Sequence, residues 1–373
     1  MKMSQSKFVN QAWKTALETN LDSEQTLVFS FFDRELPDIE NHLAKIKEQF
    51  PKSVVMGCSS SGEIFKGEVN DKSISLAVVQ FEKTKIKYAK ENVLESSEAI
   101  GRSIANQLKT DDLKAVYLLS DGLNVNGTAL IQGMNEILGA QVKISGGLAG
   151  DGSRFIQTDL CDQGVLGSKI VIAVGLYGDD IEVQCASRGG WDSFGVSRKI
   201  TKSVNNVLFE LDGKPALELY KEYLGDKASG LPGSALLFPL EIMLATGQKV
   251  VRTVLAVCEA DQSMTFAGDI PQGMTCQLMQ ANFDRLVQGA EDAAEDLNVK
   301  SNLNPVFCLA VSCVGRRLVL GERIEDETEG VLDFLPKQSI QAGFYSYGEL
   351  SPQGAGSCDL HNQTMTLTLI SEK

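Results

Sequence analysis

Only two histidines occur in this chain of 373 residues, and one of them, His361, stands where chemistry is most easily placed. It lies in the stretch from Ile340 to Ile370, which reads as a strand, a glycine-rich loop and a second strand. Met365, Leu367 and Leu369 alternate with Thr366 and Thr368, so one face of that second strand is buried. If the extended run begins at Leu360, His361 falls on the apolar side. A neutral imidazole on an apolar wall is a candidate axial ligand for a metal or haem iron; it is also an ordinary core histidine satisfied by a carbonyl. Phe344, Tyr345 and Tyr347 lie beside the loop that leads to it, and a preceding glycine loop ends in Arg316 and Arg317. A haem site needs apolar and aromatic walls, one axial donor and cations for two propionates, and these residues supply each part. The bland alternative is that the aromatics are core and the arginines a solvated turn. The loop from Gly348 to Asp359 is long for a hairpin, and long ordered loops are often functional.

Other constellations are weaker. Serine hydrolysis needs a base beside its nucleophile, and neither His42 nor His361 has an elbow motif to serve. His42 borders the apolar stripe Ile39, Leu43, Ile46, Phe50 of a predicted helix and reads as a half-exposed helix residue. Gly57 and Gly62 have the spacing of a phosphate loop, but Glu63 stands where that motif requires lysine. The eight cysteines are scattered without a CxxC, and Cys308 and Cys313 differ by an odd number, so on one strand they face opposite sides. Buried inert thiols are expected; a redox role for Cys308, Cys313 or Cys358 has only the two arginines to lower a thiol pKa. No catalytic set rises above background, so binding or sensing is expected rather than catalysis.

The elements that position these residues alternate between strands and helices. Strands are predicted at 26–32, 53–58, 74–82, 86–89, 113–120, 170–176 and 181–185, with helices from Pro37, from Ser96 or Ser97 to Leu108, and from Asn126 to Leu138. An opening helix is predicted over Ser4–Leu21 from the recurrence of Phe8, Ala12 and Ala16. Adjacent strands without a helix between them favour a mixed α/β sheet over a strictly parallel one. The length suits two α/β domains with helix-flanked mixed sheets, at 1–200 and 201–373, joined near Ser187–Thr201. Lysine and arginine number 35 against 49 acids, a net charge of −14, which argues against nucleic acid and against an anionic membrane surface. No apolar run reaches spanning length, and the start lacks the apolar core of a secretion signal, so a cytoplasmic protein with reduced thiols is expected.

Several motifs resemble one family. GFYSYGEL (343–350) and LHNQTMT (360–366) resemble the C-terminal signature of FIST proteins. MGCSSSGEI (56–64), SDG (120–122) and GGLAGDG (146–152) resemble the N-terminal pattern, and GDIP (268–271) and SCVGR (312–316) are also similar. The resemblance covers nearly the whole chain in order and implies a sensory module of paired FIST N and FIST C domains. Within the family the chain is similar to the stand-alone bacterial NosP-type proteins. That similarity implies haem b with His361 as axial iron ligand, nitric oxide as the sensed ligand and a sensor histidine kinase as partner; a homo-oligomer is left open. The family also implies an alternative: a sensory module without haem, binding a small amino-acid-like metabolite on the glycine loops Gly57–Gly62 and Gly146–Gly152.

Overall fold

The computed structural model describes residues 1–297, 305–352 and 356–373. Its organising unit is a parallel strand pair crossed by helix, and it occurs three times. Thr26–Phe32 lies parallel to Val54–Ser59 across the helix Ile39–Gln49. Leu113–Ser120 lies parallel to Lys143–Leu148 across Gly127–Leu138. Phe307–Cys313 lies parallel to Ile340–Ser346 across Val314–Leu320 and Ile324–Phe334. In each repeat a returning strand (Ile74–Gln80, Ile170–Tyr177, Met365–Glu372) pairs antiparallel with the first of the two. A leading strand (Lys2–Val9, Lys85–Asn92, Ile181–Arg188) then pairs antiparallel with the returning one.

The equivalence extends to single residues. A Cβ on Gly57, Gly146 or Gly343 would sit 1.7, 1.8 or 1.8 Å from the carbonyl oxygen of Ser30, Leu118 or Ala310 on the adjacent parallel strand. Only glycine permits that approach. Gly343→Ala is therefore expected to lower unfolding free energy by about 3 kcal/mol, the upper end for overpacking; a denaturant titration showing less than about 1 kcal/mol would contradict this packing. Just before each returning strand, Lys72, Lys169 and Gln363 adopt φ of 50°, 53° and 64°.

Each repeat lends a hairpin to a neighbour. Glu63–Phe65 and Glu68–Asn70, from the first repeat, extend the sheet of the third at Ile340–Ser346. Leu160–Asp162 and Val165–Gly167, from the second, extend the first at Val54–Ser59. Gly348–Pro352 and Cys358–His361, from the third, extend the second at Lys143–Leu148. The exchange closes a ring around one shared core. There the Phe29 ring meets Tyr117 edge-on at 5.2 Å and Phe307 at 5.5 Å, while Phe31 stacks on Phe344 at 4.9 Å.

The third repeat is interrupted after its leading strand. Between Arg188 and the helix Phe283–Asp296 lies an inserted unit whose strands run from Trp191–Val204 to Thr275–Ala281, with one α-helix at Ala216–Leu224. It has its own core around Leu208, Leu217, Tyr220, Ile242 and Phe266. The architecture is thus mixed α/β, with mixed sheets flanked by helices, as the strand pattern implies. Two of the sheets pair strands from the two sides of residue 200: Ile181–Arg188 with Met365–Glu372, and Lys143–Leu148 with Gly348–Pro352.

Two local expectations are corrected. Ser4–Leu21 is not a helix but the strand Lys2–Val9, a hairpin turn into Ala12–Trp13, and a short 3-10 turn at Thr19–Leu21. Pairing with Ile74–Gln80 overrides the helical spacing, burying Ser6 and Phe8 with period two. Arg316 and Arg317 are not in a loop but in the helix Val314–Leu320. The predicted caps hold: Ser96 and Asn126 accept from the backbone N–H groups of Ala99 and Ala129.

Candidate functional site

His361 ends the strand Cys358–His361, opposite Glu349. The chain turns over the next three residues, and Met365 begins a strand in another sheet. The apolar alternation of 365–369 therefore does not continue into His361, and the side chain is only half-buried. Its Nε2 lies 3.1 Å from the carbonyl oxygen of Ser351. Desolvation pushes the imidazole below its ordinary pKa, and the charge of Asp359 opposes that shift. Two hollows meet at the ring. One, of about 540 Å³, is walled by Cys185, Ala186, Ser187, Arg188, Asp296 and Pro352. The other, of about 140 Å³, is bounded by Gly189, Asp359 and Asn362 on the body and by Lys249, Val250 and Val251 on the inserted unit.

The remaining residues of the predicted haem pocket go elsewhere. Phe344 is in the shared core against Phe31. The buried Tyr345 hydroxyl donates to Glu327 at 2.6 Å. Tyr347 packs on Phe155 at 4.6 Å between ring centroids, and its hydroxyl donates to Asp151. Arg316 is fully buried and donates to Glu327, Gly189 and Leu286, while Arg317 donates to Asp71 at 2.6 Å and to the Ser61 carbonyl. None of the five lines a hollow beside His361. A porphyrin needs a broad apolar slot; the larger hollow is walled mostly by polar and charged groups and the smaller, at about 140 Å³, is too small, so the residues present do not fit haem b. Positions 353–355 of the long loop lie outside the described residues.

The glycine loops do not present free N–H groups either. Ser59, Ser60 and Ser61 donate their backbone N–H to Asp159, Phe32 and Tyr345, and Gly62 donates to the Ser60 hydroxyl. Ala149 and Gly150 donate to Ser120 and Ser59, and Gly152 to the Ser61 hydroxyl. These loops knit the repeats together, and the donors that would hold a carboxylate are already engaged. The hairpins of the first and third repeats each carry a buried acid at the same place: Glu63, held by Ser60 and Ser73, and Glu349, held by Ser346 and Thr364. Burial pushes each up to about 8 against those hydrogen bonds.

The seam between body and inserted unit is where unlike charges collect. Arg252 is buried there and donates to the carbonyls of Val251, Asp269 and Leu360 at 3.0, 3.1 and 3.3 Å. Burial pushes its pKa down, offset by Asp359 and Asp269. Nearby, Arg188 pairs with Asp296 at 2.5 Å within the body and Lys249 with Glu241 at 3.0 Å within the inserted unit. Sequence reasoning missed Arg188, Lys249, Arg252 and Asp296, because they reach one place only through the fold; Asp359, two residues from His361, was the one local signal. Cys308, Cys313 and Cys358 are buried, and burial pushes all three thiols up, Cys308 to about 12. That disfavours the thiolate a redox sensor needs. Among the described residues no cluster could hold a metal ion, and no helix is long and apolar enough to cross a membrane.

Repeated α/β units closed around one core, with an inserted unit set between a leading strand and its helix, define the architecture. The chain belongs to the FIST family: its FIST N domain matches residues 26–214 and its FIST C domain residues 216–352. That makes it a sensory or signalling module. The chain is also similar to an uncharacterised protein of Methanocaldococcus jannaschii, 24% identical over 360 residues. The match covers 85% of this chain, which spans 65% of the length of that relative.

Proposed function

We propose that this chain senses a small polar metabolite of amino-acid type, bound in the seam beside His361. The observation that carries the reading is that His361 opens onto two adjoining hollows, the larger within the body with Arg188 and Asp296 in its wall, the smaller shared by the body and the inserted unit with Asp359 and Lys249 in its wall. A zwitterion can take over the Arg188–Asp296 pair, its carboxylate on Arg188 and its ammonium group on Asp296, with Lys249 and Asp359 available across the smaller hollow. The larger hollow, about 540 Å³, is within the usual range for small-ligand sites. A ligand that reaches from the larger hollow past His361 into the smaller one touches the inserted unit and favours one seating of it, and such coupling is typically about 1–3 kcal/mol. A signalling partner, of which a sensor histidine kinase is one class, would read that change of seating. The nitric oxide reading has no such support once the haem pocket is dispersed.

A thermal-shift screen of amino acids tests this. A binder at about 100 times its Kd stabilises by about 2.7 kcal/mol, and Lys249→Met with Arg188→Met should remove most of that gain. A full screen without stabilisation, or a shift the double variant leaves unchanged, counts against the seam.

A further inference from the structure

We propose a second ligand site, in the first repeat, that takes a planar aromatic anion. A groove of about 740 Å³ lies between the opening hairpin and the helix Ile39–Gln49, and none of its residues lines the hollows beside His361. Its floor is apolar, formed by the buried Phe8, Leu36 and Ile46. Its wall is aromatic: the Phe8 ring lies 4.3 Å from His42 and 5.5 Å, edge-on, from Trp13. His42 and Trp13 are only half-buried, so both rings keep a side toward the groove.

The rim sets the charge. Lys45 and Lys72 both border the groove, are exposed, and have no ion pair among the described residues. In a chain of net charge −14, two unpaired lysines at one aromatic groove stand out from a surface rich in acid. The one acid on the rim, Asp38, already accepts from the Asn41 amide at 2.8 Å. Flat rings and an apolar floor suit an aromatic body, whose burial contributes through area and ring contact. Two ammonium groups at the mouth suit a carboxylate attached to it. The groove is within the size range of sites for such ligands.

Isothermal titration of the full chain with 2-naphthoate, and with the neutral isostere 2-naphthamide, is the test. We expect naphthoate to bind at least roughly tenfold tighter than the amide, and Lys45→Met/Lys72→Met to remove that margin. Both lysines are exposed, so the variant should fold as the parent does, with an unchanged melting temperature as the check. Trp13→Leu should weaken both probes together. Equal affinity for the two probes, an unchanged constant in the double lysine variant, or no heat from naphthoate up to about 5 mM would each overturn the assignment.

Discussion

Arg316→Leu is expected to lower the unfolding free energy by about 3–5 kcal/mol, the range for leaving one partner of a buried ion pair alone. Arg316 and Glu327 are both fully buried, and the guanidinium Nε and Nη2 donate to the same carboxylate oxygen at 2.9 and 2.6 Å. The other carboxylate oxygen accepts from Ser312 at 3.0 Å and from Tyr345 at 2.6 Å. Removing the arginine also takes a donor from the partly buried carbonyl of Gly189 and from the buried carbonyl of Leu286. Those carbonyls sit at the start of the inserted unit and in the helix Phe283–Asp296, so the arginine ties that junction to the third repeat. Arg316→Leu/Glu327→Leu should recover part of the loss, because an apolar pair leaves no orphaned charge. Guanidinium titrations of the two variants decide the matter. A single variant within about 1 kcal/mol of the parent would mean that water reaches Glu327 after all.

A second large effect concerns pH. Glu63 and Glu349 go from about 4.5 in the unfolded chain to about 8 in the fold. The folded state therefore holds more protons than the unfolded state between those values. Their contribution is complete below about pH 4.5 and is lost as pH rises through about 8. Within that window each carboxyl weakens the fold by up to about 1.4 kcal/mol per pH unit. Glu63→Gln/Glu349→Gln keeps the shape and removes the titration. We expect melting temperature to fall from pH 5 to 8 in the parent and to fall much less in the double variant. Parallel profiles would show that the two acids are ionised throughout and matched by the hydroxyls around them.

Much of the body was legible in the sequence. Runs such as Thr26–Phe32, Leu113–Ser120 and Phe307–Cys313 are apolar nearly throughout because both faces are covered, and Ser96 and Asn126 mark helix starts by local chemistry. The opening hairpin was not, because Phe8, Ala12 and Ala16 fit a helix until a partner strand is supplied. Of the residues around the two hollows, only His361 was singled out from the sequence. Phe344, Tyr345 and Tyr347 are close in sequence, yet a buried strand sends alternate residues to opposite faces, so nearness along the chain does not make a pocket. The threefold order was hidden because equivalent positions share geometry more than residue type. Ser30, Leu118 and Ala310 face the three glycines, and Lys72, Lys169 and Gln363 hold the left-handed turns.

The exchanged hairpins bear on how the chain matures. The strand Lys143–Leu148 is covered along one edge only by Gly348–Pro352, and Glu63–Phe65 has its acceptor at Ile340–Ser346. On the ribosome, both wait for some two to three hundred residues of further synthesis, at about 5–20 residues per second. During that interval the nascent protein carries open backbone edges, the kind of surface that recruits chaperones or pairs with a neighbouring nascent chain.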